Sequence, residues 1–260
     1  MSRNTMPELV LSYGDLDGDL RKIDVFIFDD SYIDDSSNLW VIYIHGGAWR
    51  DVKHNSEDGH ALINFLRSQF YTQTKVVYAS INYRLSPHVV HPEHLNDIKD
   101  AIAFLKKSYK LSRCILIGHS AGATLAIQYF VLDNEAKDIV YCVICVEGIY
   151  DLLELVNEYP SYEDFVKLAF GDCQQDWIIA SPSYLVSNYL GSSACEIILI
   201  QSEEDELLSM RQTNIMTKAI SHAQNSNVTF SLKKVKGKHF DVIKNDDFFY
   251  IVKEAVQYYL

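Results

Sequence analysis

The residues best equipped for chemistry are Gly118-His119-Ser120-Ala121-Gly122, a serine held between two glycines. A short apolar run, 114–117, leads into them and a helical pattern follows. A serine on a sharp strand-to-helix turn stands clear of the sheet and can attack a carbonyl carbon. The chemistry requires the small residues, since bulk at 118 or 122 would collide with neighbouring backbone. The following helix points its N-terminus at the serine, which favours negative charge developing there.

A nucleophilic serine needs donors for the oxyanion it creates, a base, and an acid to orient that base. The donors are expected in His45-Gly46-Gly47-Ala48-Trp49, which follows a buried-strand pattern at 40–44. Two glycines allow close backbone approach, so the N–H groups of Gly46, Gly47 and Ala121 are the candidate oxyanion hole. Trp49 fits either a core aromatic or a wall of the acyl pocket. For the base, His239 is the choice. It lies in a loop after the last strand pattern, preceded by Gly237-Lys238 and followed by a C-terminal helical pattern. The acid should fall between nucleophile and base. Gln201-Ser-Glu-Glu-Asp205-Glu-Leu-Leu supplies four carboxylates just after a strand pattern at 196–200. Asp205 is preferred for its type and distance beyond the strand, with Glu204 second.

Around these positions strand-like runs at 23–28, 40–44, 75–81, 114–117, 139–146, 196–200 and 228–233 alternate with helical patterns. The helices are expected at 57–70, 93–108, 121–132, 210–223 and 245–259. Several strands are continuously apolar, as strands covered on both faces must be. This alternation predicts an α/β fold with a mostly parallel, doubly wound sheet in one domain, 1–260. The segment 148–191 breaks the rhythm with amphipathic pieces, Pro160, Pro182 and many aromatics. Lying between two strands, it is expected as a small helical lid over one end of the sheet.

Composition narrows the function classes. Of the 260 residues 48% are hydrophobic, enough for a packed core, and the net charge of −12 disfavours a nucleic-acid partner. Lys233, Lys234, Lys236 and Lys238 form the one basic cluster, read as a solvated strand edge. No secretory signal or membrane span is visible, and five cysteines form no disulfide framework. A reduced, cytoplasmic protein is expected. Cys142 and Cys145 point to opposite faces of a strand and do not form a metal or redox pair. His88, His91 and His94 are spaced like metal ligands, but Pro87 and Pro92 interrupt them and no carboxylate or cysteine pattern completes a site. No metal site is expected.

Five motifs carry a family resemblance: His45-Gly-Gly-Ala-Trp49, Tyr83-Arg-Leu-Ser-Pro87, Gly118-His-Ser-Ala-Gly122, Gly148-Ile-Tyr-Asp-Leu152 and His239. With them the chain resembles the esterase–lipase branch of the α/β-hydrolase fold, and within it the fungal kynurenine formamidases (arylformamidases). Asp205-Glu-Leu-Leu, with Arg211-Gln-Thr-Asn214 behind it, is also similar to that family and supports Asp205. The likeness runs from about Trp40 to His239, while residues 1–38 give no comparable signal.

The resemblance implies a serine hydrolase that cleaves the formamide of N-formyl-L-kynurenine to formate and L-kynurenine, in tryptophan breakdown toward NAD, with no cofactor. It implies a small-molecule partner and leaves a homodimer open. For the substrate's ring, Tyr150, Tyr159 and Tyr162 are candidates. For its carboxylate, the candidates are Arg84, Arg211 and the lysines before His239. Two other readings fit the same motifs. A general carboxylesterase would share the chemistry with a wider acyl pocket. A catalytically silent hydrolase-fold receptor would typically lack a triad member, and here all three have candidates.

Overall fold

The computed structural model describes residues 6–14, 20–28, 33–190, 194–223 and 227–260. Among these residues eight strands form one sheet: β1 Leu9–Ser12, β2 Lys22–Phe26, β3 Leu39–Ile44, β4 Val76–Ile81, β5 Cys114–His119, β6 Val140–Val146, β7 Glu196–Ser202 and β8 Thr229–Val235. Their order is β1-β2-β4-β3-β5-β6-β7-β8. β1 and β2 pair antiparallel, as do β2 and β4, and the rest of the sheet is parallel. β1, with only four residues and a half-exposed alternating pattern, is the one strand without a sequence counterpart. The basic cluster falls on and just beyond β8, the sheet's edge strand, where lysines discourage further strand pairing.

The continuously apolar strands bury both faces, as their composition demands. In β3, Trp40, Ile42 and Ile44 enter one hydrophobic cluster while Leu39, Val41 and Tyr43 enter the other. β6 divides in the same way, so Cys145 lies on one face and Cys142 on the opposite one. Helices cover both layers: α1 His60–Gln69, α2 Glu93–Tyr109, α3 Ala121–Leu132, the single turn α4 Ala136–Ile139, then α5 Leu152–Glu158, α6 Glu163–Phe170, α7 Gln174–Ala180, α8 Pro182–Tyr189, α9 Met210–His222 and α10 Asp246–Tyr259. α1 and α10 pack together against one face, and α2, α3, α8 and α9 succeed one another on the other. The segment between β6 and β7 is helical, comprising α5 to α8, and its expected end at 191 lies outside the described residues. Among the described residues no helix is long and apolar enough to cross a membrane.

The strand order reverses at β3. The chain leaves β3 to pair β4 on one side, then returns to place β5 on the other. Loops leaving the carboxyl ends of β3 and β5 therefore diverge and open a crevice, where ligands bind in sheets of this kind. The turn after β5 is sharp. Ser120 adopts φ +52° and ψ −117°, and its N–H donates to the Val146 carbonyl at 2.8 Å. A Cβ added at Gly118 would lie 2.3 Å from the Gly122 carbonyl oxygen, and one at Gly122 would lie 2.2 Å from the Ile44 carbonyl oxygen. Both neighbours are backbone and cannot swing aside. Gly122→Ala is therefore expected to lower stability by about 3 kcal/mol or more, the cost of overpacking a rigid site, measured by denaturant titration. An unchanged midpoint would show that α3 can slide away from β3.

Candidate active site

Ser120 and His239 line one cavity of about 320 Å3, with Ala48, Arg50, Ile149, Ser161, Tyr162, Phe165, Leu207 and Leu208. The walls come from the loop after β3, the elbow after β5, the segment after β6 and the loops after β7 and β8. A larger hollow of about 580 Å3, beside α7 and α8, carries no serine or cysteine in its lining. Ser120 and His239 are not hydrogen-bonded to each other among the described residues, and such contacts commonly tighten only when substrate binds.

His239 is buried, and its Nδ1 lies 2.8 Å from Asp205 Oδ2. The backbone N–H of Leu207 and Leu208 donate to the other Asp205 oxygen at 2.8 and 2.9 Å. The four crowded acids thus separate by geometry. Glu203 pairs with Lys234, Glu204 accepts from the Gly237 N–H, Asp205 holds the His239 ring, and Glu206 accepts from the His239 N–H. Three of these carboxylates hold the β8 side of the crevice from outside, and only Asp205 reaches the imidazole. Burial pushes the Asp205 carboxyl up. Hydrogen bonds from His239 and Glu147, with the charge of His239 and a backbone N–H, outweigh it and hold the group well below the usual carboxylate range.

The loop after β3 runs through positive φ at Gly47 (+92°), Ala48 (+49°) and Trp49 (+58°). Among the described residues no backbone hydrogen bond takes up the N–H of Gly46, Gly47 or Ala121. Gly46 presses on the elbow, where an added Cβ would come within 3.1 Å of Ser120 Cβ. Tyr83 braces this loop from behind. Its ring stacks on His45 at 4.3 Å, and its hydroxyl donates to the carbonyls of His45 and Gly46. His119 braces the other side, with Nε2 3.1 Å from the His239 carbonyl oxygen.

Several expected positions fall elsewhere. Trp49 is fully buried one layer behind the cavity, edge-on to Phe170 at 4.9 Å, and Ala48 and Phe165 form the wall in its place. The positive φ of the loop turns the indole inward, which the sequence pattern does not reveal. Tyr150 is likewise buried, its ring folded back over Gly148, while Ile149 faces the cavity. Of the candidate tyrosines Tyr162 lines the cavity, with Tyr159 stacked behind it at 5.0 Å. Arg84 is held by Asp97 and Glu93, and Arg211 by Glu154. Among the described residues neither they nor any lysine lines the cavity, and the arginine that does is Arg50.

Glu147, at the end of β6, was not anticipated from sequence. It is fully buried at φ +49°, accepts from the Ser202 N–H at 3.0 Å and from Gln201, and shares a hydrogen bond with Asp205. Its neighbours Val146 and Gly148 mark only a strand end, so no pattern announced it. Burial first, then the adjoining Asp205, raise its pKa far above the ordinary 4.5, so it stays protonated at neutral pH. Glu147, Asp205 and His239 are the one group of His, Cys, Asp and Glu side chains among the described residues close enough to share a metal ion, within 4.8 Å. Their donor atoms are already turned on one another and on the backbone. His88, His91 and His94 form no such group; His94 bonds Ser86 and His91 leans on Phe170.

The fold and this cavity at the strand ends define an α/β hydrolase of the esterase–lipase type. Among solved structures, Esterase B from Lactobacillus Rhamnosis superposes with a TM-score of 0.75 at 17% identity, over 98% of this chain and 86% of that one. A hormone-sensitive lipase from a metagenome library gives 0.68 at 18% identity, over 98% and 85%. The BD-FAE family model matches residues 30–220. A kynurenine formamidase of Meyerozyma guilliermondii is 40% identical over 216 residues, 80% of this chain and 78% of the relative. One from Saccharomyces cerevisiae is 36% identical over 223 residues, 79% and 84%. The chain belongs to the kynurenine formamidase family.

The buried acid pair makes stability depend on pH. Above pH 4.5 the unfolded chain releases the Glu147 proton and the folded chain keeps it. Unfolding therefore releases a proton, and stability falls as pH rises from there until the folded group itself ionises at about 10. Asp205 acts oppositely, its contribution being present above its ordinary 3.8 and lost as pH falls below it. Glu147→Gln, a neutral isostere, is expected to flatten the alkaline decline in denaturant-melting free energy. An identical decline in the variant would place the proton elsewhere.

Proposed function

We propose that this protein hydrolyses N-formyl-L-kynurenine to formate and L-kynurenine by serine catalysis, with Ser120 as nucleophile, His239 as base and Asp205 as the acid that orients it. The observation that carries this reading is the 2.8 Å contact between His239 Nδ1 and Asp205 Oδ2, in a cavity shared by Ser120 and His239. The curated relatives bear the name kynurenine formamidase, and the motifs that support the reading lie in the aligned span.

Ser120 Oγ attacks the formyl carbon and its proton passes to His239 Nε2, while Asp205 fixes the opposite tautomer and stabilises the imidazolium. The carbonyl oxygen becomes an oxyanion facing the N–H groups of Gly46, Gly47 and Ala121, at the N-terminus of α3. Collapse breaks the C–N bond, and His239 returns its proton to the departing nitrogen. That nitrogen is an aniline whose lone pair is shared with the ring, so the amide is weaker than an alkyl amide and the amine leaves more readily. Water then attacks the formyl ester on Ser120 and gives a proton to His239. The second collapse releases formate and restores the hydroxyl.

The cavity of about 320 Å3 has room for an aryl leaving group beside a formyl group, the smallest acyl group. The helical segment between β6 and β7 brings Ser161, Tyr162 and Phe165 over the site and serves as its cover. A carboxylesterase with the same residues would accept longer acyl chains.

Two measurements test the reading. Asp205→Asn is expected to lower kcat by about 10⁴-fold through the wrong histidine tautomer. Glu204→Gln, whose side chain accepts from the Gly237 N–H, should stay within a few-fold; the reverse ranking would move the acid to Glu204. The ratio of kcat/KM for N-formylkynurenine to aryl esters of increasing acyl length should favour the formyl substrate and fall steeply with chain length. Efficient butyryl ester hydrolysis with negligible deformylation would leave a general esterase.

A further inference from the structure

The cavity beside Ser120 has one fixed cation, Arg50, on the residue directly after the loop that carries Gly46 and Gly47. Arg50 is only partly covered, with 39% of its side chain exposed, and its guanidinium lies over the Phe165 ring at 5.6 Å. One nitrogen, Nη1, donates to Asp164, the neighbour of Phe165 on α6, and Asp164 is itself 76% exposed. An arginine carries five N–H donors in a planar fork. Among the described residues this one spends a single nitrogen on Asp164, which leaves the rest of its fork open toward the cavity.

We infer that Arg50 and Asp164 form a subsite for a zwitterionic α-amino acid, with Arg50 taking the carboxylate and Asp164 the ammonium. This rests on the proposed deformylation and deepens it. An α-amino acid bears both charges on one carbon, so it needs opposite charges held side by side, which an ion pair supplies. A planar guanidinium meets a carboxylate in two parallel hydrogen bonds, which a lysine cannot do. The pair is neutral and so is the ligand, so binding leaves no unbalanced charge at the cavity. The chain's net charge of −12 repels a simple anion and is indifferent to a zwitterion. Phe165, which lines the cavity beside Arg50 and follows Asp164 on α6, offers the apolar face on which the aryl ring leads to that arm.

An alternative role is mechanical, since Arg50–Asp164 also ties the loop after β3 to α6. The two roles separate by substrate charge. The experiment measures kcat and KM of wild type, Arg50→Gln, Arg50→Lys and Asp164→Asn on three compounds. These are N-formyl-L-kynurenine, its des-amino analogue that keeps the carboxylate, and 2-formamidoacetophenone, which has no charged arm. A hydrogen bond to a charged group is worth about 1.5–3 kcal/mol, so Arg50→Gln should raise KM roughly tenfold or more for both carboxylates. Its effect on the neutral formanilide should be several-fold smaller. Arg50→Lys should recover part of the loss. Asp164→Asn should weaken the amino acid substrate more than the des-amino one. Equal losses on all three compounds, or an unchanged KM for N-formylkynurenine in Arg50→Gln, would overturn the subsite while leaving deformylation intact. A wild-type protein that deformylates none of them would overturn the functional reading and the subsite together.

Discussion

The site depends on one constraint, the backbone contact of the elbow with its neighbours. Ser120 can hold φ +52° only because Gly118 and Gly122 carry no side chains, and Gly122 lies against the Ile44 carbonyl at the end of β3. That contact brings the ends of β3 and β5 together at the reversal of strand order. From it the other parts take their positions. Gly46 rests on His119 and Ser120, His119 meets the His239 carbonyl, and the Ser120 N–H binds Val146, the residue before Glu147. Ser120, the Gly46–Gly47 loop, His239 and the buried acid pair are tied through a single turn. A strained residue of this kind persists only where its surroundings over-determine it, and here the end of β3 with its loop, the end of β6 and the loop of His239 do so.

Glu147 gives the acid side of the site a particular electrostatic form. Two buried carboxyls in hydrogen-bond contact cannot both ionise, so one keeps its proton. The Ser202 and Gln201 contacts anchor Glu147, while the histidine and the Leu207 and Leu208 N–H groups favour charge on Asp205. The negative charge therefore sits on the carboxylate that faces the imidazole. Gln201, which also donates to Asp205 at 3.1 Å and accepts from Thr213, keeps the pair aligned. The order of charge is set by the loop after β7 and by His239, with Gln201 of β7 and Thr213 of α9 holding the pair in line.

Ser120, His239 and the glycines of both loops were legible in the sequence because backbone sterics leave few residue types able to occupy such turns. The parallel strands were legible because apolar continuity is the mark of burial on both faces, and their ends agree with the structure within one to two residues. Asp205 was legible only as the preferred member of an acidic run. The neighbouring glutamates are distinguished by which of Lys234, Gly237 or His239 each meets, a long-range matter. Of its two readings Trp49 takes the core one, and Tyr150 turns inward rather than to the substrate, because a side chain's course depends on local φ, which is positive at 47–49 and at Glu147. β1 was too short, and Glu147 and Arg50 too ordinary in context, for pattern to single them out. Each acquires meaning from partners that only the fold supplies: Asp205 for Glu147, Asp164 and Phe165 for Arg50.

The central claim is that the elbow serine performs the deformylation. The most direct measurement follows N-formylkynurenine hydrolysis during reaction with a fluorophosphonate, locating the adduct by peptide mass spectrometry. The account predicts one phosphonylated residue, Ser120, with activity lost in proportion to its labelling. Hydrolysis that survives complete labelling of Ser120, or an adduct on another residue that tracks the loss of activity, would contradict it.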